Sequence, residues 1–380
     1  MMIMYLREIM LGKRKGLIIR QILGVLSFVY LILIKIRMAG YKYGFLRGKK
    51  LPVRVISIGN LTVGGSGKTP AIIEIASLLK DAGKRIGVLI RGYHSRYEQQ
   101  QGVVSGNVAE ASPLRISTNT VSASLEDAGD EACLLAKNLT GIPVLAGKNR
   151  WASGRYALEK FGCDTLLLDD GFQHLKLYRD IDILLHDVSI PQQGLRLFPE
   201  GVLREPLSAA KRARIIILTH TDMVTDLTPY EDMVKGLNPK ALILTSIHLP
   251  LHLIRYKRDE EDSNIYPLSL IKGKTILACS GIGCPESFEH NLKQFEPHRI
   301  IPLRFPDHHS YDSACLRRIE EMARDTDMVV TTEKDMVRLA AKVGCVPRTH
   351  ISCPLFFLKV KFSITTPNWQ ENLLRCLCSD

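Results

Sequence analysis

The sequence predicts an α/β protein: a largely parallel sheet lobe covered by helices, a second smaller α/β lobe, and an N-terminal membrane-associated helix. Three observations predict it. Short apolar strand-like runs alternate with helical patterns twice along the chain, as parallel sheets require. A glycine loop, NLTVGGSGKTP at 60–70, separates the first such strand from the first such helix. Ahead of both stands ILGVLSFVYLILI at 22–34, thirteen residues without a charge.

The apolar run alone is too short for a hydrocarbon core of about 30 Å. Extended to 17–38 it is long enough, with Arg20, Gln21, Lys35 and Arg37 near its ends, where long basic side chains reach headgroups. Lys13, Arg14 and Lys15 precede it, and Arg47, Lys49 and Lys50 follow. Basic flanks on an apolar helix fit an anchor or an interfacial helix. A cleaved signal peptide is disfavoured, because Lys35 and Arg37 follow the run directly and no A-x-A site is evident. A buried core helix is the plain alternative.

VRVISI at 53–58 reads as a strand and AIIEIASLLK at 71–80 as a helix, closed by Asp-Ala-Gly. Strand, glycine loop and helix make the context of a phosphate-binding loop, so the first lobe is read as P-loop NTPase-like. Residues Thr62, Val63, Gly64, Gly65, Ser66, Gly67, Lys68 and Thr69 form the candidate nucleotide loop. Its glycines let backbone N–H groups approach phosphate oxygens, Lys68 reaches the terminal phosphates, and Thr69 offers a hydroxyl to Mg²⁺. Thr62 stands where the strict GxxxxGK[ST] pattern has glycine, so its backbone must suit a side chain. A plain glycine turn is the competing reading.

DTLLLDD at 164–170 reads as a buried strand ending in two carboxylates, Asp169 and Asp170. Open α/β sheets bind ligands at that edge, where phosphate-loop enzymes carry a second Mg²⁺ holder. GFQH follows at 171–174, either site or solvated turn. In GDE at 129–131 the acids either favour a helix N-terminus or supply Asp130 as a base for an attacking hydroxyl. FPDHHSY at 305–311 places two histidines after a strand-like run, one of which can orient a carboxylate.

These motifs bring the chain close to a known family. IGNLTVGGSGKTP (58–70), RGY (91–93), GDE, LLDDGFQH (167–174), RDIDILLHD (179–187), LREP (203–206), FPDHHSY and TTEKD (331–335) resemble the tetraacyldisaccharide 4'-kinases in order and over most of the chain. That family's loop also lacks the first glycine. The resemblance implies ATP as donor with Mg²⁺, and the 4'-hydroxyl of a tetraacylated glucosamine disaccharide 1-phosphate as acceptor, giving lipid IVA at the cytoplasmic face of the bacterial inner membrane. It implies Lys68, Asp170, Asp130 and His308 as catalytic groups, with Asp130 and His308 paired as the base. It implies Thr69, Asp169 and Glu205 around the metal and Gln173 in support. On this reading residues 1–50 are the membrane helix and basic flank, 51–240 the kinase lobe, 241–270 a linker of extended strands and 271–380 the second lobe, in a monomer. Three stretches depart from the family: Ala132 in place of the usual proline, 94–105 after RGY, and 188–197, which lacks an expected glycine-rich turn.

Composition bounds the partners. The 380 residues, 46% hydrophobic and 24% charged, suffice for two cores. A net charge of +12 favours a polyanionic partner: nucleic acid, anionic membrane or a phosphorylated substrate. No nucleic-acid module is recognisable and aromatics are 7%, which ranks nucleic acid last. Nine cysteines without a CxxC pair predict reduced, mostly buried thiols. The alternative function is a membrane-associated P-loop ATPase that couples hydrolysis to partner binding. It shares the loop but needs no base for a sugar hydroxyl.

Overall fold

A computed structural model describes residues 8–12, 16–92, 114–116, 129–256, 264–307, 309–343 and 353–378. Tyr93, the departing stretch 94–105 and His308 lie outside the described residues. In chain order the first half holds α1 (Leu17–Lys42), β1 (Arg54–Asn60), α2 (Lys68–Asp81), β2 (Ile86–Ile90), β3 (Leu114–Ile116), α3 (Asp130–Asn138), β4 (Val144–Ala146), α4 (Arg150–Phe161), β5 (Thr165–Asp169), β6 (Ile181–Asp187), β7 (Ile215–Thr219) and α5 (Thr228–Leu237). Then follow β8 (Leu242–Arg255), β9 (Ile265–Tyr266), β10 (Thr275–Ser280), α6 (Pro285–Lys293), β11 (Arg299–Arg304), α7 (Ser313–Ala323), β12 (Met328–Thr332), α8 (Glu333–Val343), β13 (Leu355–Ile364) and α9 (Trp369–Cys378).

The strands form one sheet in the order β11-β10-β12-β13-β8-β7-β6-β1-β5-β2-β4-β3, with β9 beside β8. The central strands β1, β5, β6 and β7 are mutually parallel, and β5 and β7 are buried along their whole length. That is why TLLLD and IIILT read as continuous apolar runs rather than alternating ones.

The stretch expected to be a connection contains β8, fourteen residues long and paired on both sides. Leu242–Thr245 lie parallel to β7, and Ser246–Arg255 lie antiparallel to β13. This seam reverses the second half. Its parallel strands β10, β12 and β13 run against β8, so their carboxyl ends point back toward the carboxyl ends of the first half. Both ligand-binding edges therefore face one cleft.

Helix α2 begins at Lys68, inside the glycine loop, three residues before the apolar pattern starts. Its face of Ala71, Ile72, Ile75, Ala76 and Leu79 packs on the sheet with Ile56, Ile58, Val88 and Leu167. Gly83, at φ +79°, ends it as Lys84 N–H donates back to the Leu79 carbonyl. Leu373 and Leu377 of α9 enter this same core, and Leu277, Leu303, Tyr311, Leu316 and Val329 belong to a separate core of the second half.

Helix α1 is long and apolar enough to cross a membrane, with mean hydropathy 2.1 over its most apolar stretch, of which only 6% is buried. One side is tied to the first half: Ser27 Oγ donates to the Leu197 carbonyl, Tyr30 OH to that of Arg204 and Arg37 to that of Gln173. The other side exposes Ile22, Val25, Leu26, Val29, Ile32, Leu33 and Ile36. All eight described cysteines are free thiols, but only Cys163 and Cys279 are fully buried; the rest are partly or fully exposed.

Candidate active site

β1 delivers the loop to the carboxyl edge of the sheet. At its end the buried Asn60 donates from Nδ2 to Thr62 Oγ1 at 3.0 Å. Val63 N–H donates to the Val202 carbonyl and Arg204 N–H to that of Leu61, so residues 61–63 pair with 202–204 as a short antiparallel ladder bridging Thr62 to Leu203. This explains the missing glycine. Thr62 sits in extended pairing, without a positive φ, and a side chain costs nothing there. Positive φ appears only at Gly64 (+112°) and Gly67 (+77°) within the loop. Gly67 is the N-cap of α2, so the helix's unpaired N–H groups and its positive end open where Lys68 and Thr69 begin.

The acidic turn stands beside it. Asp169 closes β5, and Asp170 adopts φ +49°, a left-handed conformation for a residue with a side chain. Gly171 follows because a Cβ there meets Leu168 and Ser57 at 2.7–2.9 Å. Phe172 packs on Gly59 of β1, where a Cβ falls 2.8 Å from the Phe172 Cβ and 2.9 Å from its backbone N. These close approaches hold the turn against the loop.

Lys68 Nζ lies 3.6 Å from Asp170 Oδ1 and 3.3 Å from Asn60 Oδ1, to which it donates. Arg204 donates to Asp170 Oδ2 at 2.7 Å. Burial works to raise the Asp170 pKa, but the Lys68 and Arg204 charges outweigh it and hold it at about 2. Asp169 goes the other way. Burial, then the Glu131 and Asp170 carboxylates, push it to about 7 against the pull of Lys68 and Arg150. Its Oδ1 is buried without a hydrogen-bond partner among the described residues. Gln173 Nε2 donates to the Asn60 carbonyl at 2.9 Å, bracing turn against loop. Glu205, also buried, is held by Arg212 at 2.8 Å.

Across the cleft, the GDE and TTEKD motifs meet. Arg338 of α8 donates from two nitrogens to Asp130 Oδ2 and also contacts Asp335 at 3.3 Å. Lys334 bridges Glu131 at 3.0 Å and Asp307 at 3.6 Å, the residue before His308. Burial alone lowers a lysine pKa, but Glu131, Asp307 and Asp130 raise that of Lys334 above its ordinary value. The Gly281–Gly283 turn after β10 touches the loop, with Gly283 packed on Gly65.

One cavity of about 1150 Å³ joins these parts. Gly64 to Thr69, Asp169, Asp170, Gln173, Glu205, Glu131 and Asp307 line it, as do Tyr30, Ile34, Arg37 and Met38 of α1. The structure thus brings the loop, the acidic pair, Gln173 and Glu205 together. Asp130 sits behind Glu131, facing Arg338, and is not in the lining.

Sequence reasoning missed Arg204, although it stands in LREP beside the chosen Glu205, and missed Lys334 within TTEKD. Asn60 stands within the quoted loop motif but was not singled out, and Arg150 carried no local signal. Arg338 has none beyond its helical spacing from Asp335.

A glycine loop at a helix start, an amino group over a carboxylate pair and a cleft shared with an apolar helix define a phosphoryl-transfer enzyme of the P-loop class. The family model for tetraacyldisaccharide-1-P 4'-kinase (LpxK) matches residues 19–378. A "Tetraacyldisaccharide 4'-kinase" of Syntrophus aciditrophicus is 37% identical over 370 residues, covering 94% of this chain and 93% of the relative. Another, of Pelobacter propionicus, is 35% identical over 343 residues, 88% of each chain. Among solved structures, apo-form LpxK from Aquifex aeolicus in complex with ATP matches with a TM-score of 0.66 at 30% identity, over 94% of this chain and 99% of that one. The chain belongs to the tetraacyldisaccharide-1-P 4'-kinase family, a transferase of lipid A biosynthesis that phosphorylates the 4'-position of a tetraacylated disaccharide.

Proposed function

We propose that this chain binds ATP at Thr62–Thr69 and passes its terminal phosphoryl group to the 4'-hydroxyl of a tetraacyldisaccharide 1-phosphate that enters from the membrane beside α1. One observation carries the reading above others: Lys68 Nζ stands 3.6 Å from Asp170 at the start of α2, in the wall of the cavity that α1 also lines.

The backbone N–H groups of Gly64, Gly65, Ser66 and Gly67 cradle the phosphates, and Lys68 bridges the terminal ones. The residues present fit a magnesium ion. Asp169 has a buried oxygen without a partner among the described residues, crowded by Asp170 and Glu131, and Thr69 offers a hydroxyl at the same helix start. Thr69 and Asp169 would hold the ion, with Glu205 as the third group. When bound, the ion neutralises charge on the phosphate oxygens. Lys68 and the loop amides stabilise the negative charge that moves onto the bridging oxygen as its bond to the terminal phosphorus breaks. Asp170, kept ionised by Lys68 and Arg204, orients Lys68.

As the sugar oxygen bonds to phosphorus, its proton goes to Asp130, assisted by His308. Arg338 holds the Asp130 carboxylate in place by donating to its Oδ2. Gln173 supports the acidic corner through Asn60. Helix α1, bonded to the body on one side and apolar on the other, lies along the cytoplasmic face of the inner membrane, and the net charge of +12 suits an anionic surface and an acceptor that already carries a phosphate. The enzyme works as a monomer.

The test is incubation of the purified full chain, in mixed micelles, with terminally labelled ATP and the monophosphorylated tetraacyldisaccharide. The label is expected in a lipid bearing a second phosphate. Label found only in inorganic phosphate, at a rate the acceptor does not change, would instead support an ATPase.

A further inference from the structure

A second polar chain crosses the carboxyl edge of the sheet and ends at the phosphate loop from the side opposite Asp170. Asp187 ends β6, His220 follows β7, and His248 lies on β8, three neighbouring strands. His220 Nδ1 and Asp187 Oδ1 are 3.0 Å apart, and His220 Nε2 and His248 Nδ1 are 3.0 Å apart. Asp187 and His220 are 2% and 3% exposed, so a charged pair here is withdrawn from water. His220 also takes a left-handed backbone conformation, φ +59°, in a residue with a bulky side chain. Such outliers gather at functional sites.

The chain ends at Gly67. A Cβ on Gly67 would fall 2.5 Å from His248 Nε2, so only glycine at this loop position admits the ring. His248 Nε2 itself is buried and has no hydrogen-bond partner among the described residues, and His220, His248 and Gly67 all line the large cavity. Buried imidazole nitrogens ordinarily find a partner.

We infer that His248 is a further nucleotide-positioning residue: its Nε2–H, set by the Asp187–His220 pair, donates to a phosphate oxygen of the nucleotide held at Gly67. The inference rests on the ATP-binding reading of the loop. The tautomer follows from the chain of bonds. His220 gives its Nδ1–H to Asp187 and, when it also carries a proton on Nε2, gives that one to His248 Nδ1. His248 then has its single proton on Nε2, facing Gly67. Burial works to lower the His220 pKa, but Asp187 outweighs it and raises it, so His220 is the ring that holds the extra proton. Burial and the neighbouring His220 drive His248 down to about 3, so it stays neutral. The arrangement presents a donor to phosphate without burying a net charge, since the cation on His220 is matched by Asp187.

The test measures ATP binding by calorimetry and steady-state kinetics in the full chain. His248→Leu is expected to weaken ATP binding and raise its KM about tenfold, the worth of a hydrogen bond to a charged group, with the KM for the lipid acceptor unchanged. His248→Gln, whose amide places an N–H near the same point, is expected to restore the ATP KM to within about twofold of wild type. Lys68→Ala separates the two claims. If it abolishes ATP binding while His248→Leu binds normally, the His248 proposal is overturned and the loop reading stands. If neither variant changes ATP binding, the loop reading falls and takes the proposal with it. Should the leucine variant unfold, ¹⁵N-histidine spectra of the wild type decide. His248 is expected to be protonated at Nε2, with a resonance that moves on adding ADP. An Nδ1–H tautomer, or a resonance that does not move, overturns the proposal.

Discussion

Lys68→Ala lowers kcat/KM for ATP by about a thousandfold or more, the largest effect expected of any single substitution here. Two losses combine. The loop loses the side-chain cation at the start of α2 that is proposed to reach the terminal phosphates. The acidic corner loses a neutralising charge 3.6 Å from Asp170, leaving Asp170 with Arg204 as its remaining close cation. A triphosphate then approaches three carboxylates with one fewer positive partner. Initial rates over an ATP series check this, with thermal unfolding as the control for folding. Lys68 is part-buried and bonded to Asn60, so the fold is expected to survive. A change smaller than about tenfold would remove Lys68 from the proposed role.

Asp169→Asn carries the second large effect, and its two consequences run in opposite directions. Activity falls by about 10²–10³-fold, because an amide replaces a carboxylate proposed to hold the metal. Stability of the free protein rises. Burial and the Glu131 and Asp170 charges lift Asp169 to about 7, well above the ordinary carboxyl value of about 3.9. A group whose folded pKa is raised binds its proton more tightly in the native state. Stability is therefore full below about pH 4 and is lost as pH rises toward about 7. The asparagine has no such loss. Without metal or nucleotide, at about pH 8, the variant is expected to melt higher than wild type, by roughly 1 °C for each kcal/mol relieved. Near pH 4 the two should coincide. Melting curves in EDTA at the two pH values check it, and a variant less stable than wild type at about pH 8 would contradict the strained-carboxylate account.

What was legible in the sequence was local. The glycine loop and DDGFQH each carry their geometry within a few residues: glycine where φ is positive or the backbone approaches closely, carboxylates at a strand end. Their adjacency followed from the rule that ligands bind at the carboxyl edge of parallel strands, and Lys68 does stand beside Asp170. Thr62 looked irregular only because its partner, Leu203, is far away in sequence. The same distance hid the charges that tune the site. Arg204 reaches Asp170 across 34 positions and Arg338 reaches Asp130 across 208, separations that no periodicity or spacing reports. The role of β8 was hidden for another reason. A run broken by Pro250 and followed by an acidic stretch reads as a connection, yet β8 carries an extra residue, Leu251, beside the proline where consecutive Lys359 and Val360 of β13 face His252 and Pro250, and the strand continues past it. That one strand turns the second half to face the loop.

The central claim is that the triphosphate lies in the 62–69 loop with its terminal phosphorus aimed at the Asp169–Asp170 corner. A crystal structure of the full chain with magnesium and a non-hydrolysable ATP analogue tests it most directly. The account predicts a terminal-phosphate oxygen within about 3.2 Å of Lys68 Nζ and the ion between that phosphate and Asp169. Phosphates bound elsewhere in the cavity, with Lys68 still paired only to Asp170 and Asn60, would contradict it.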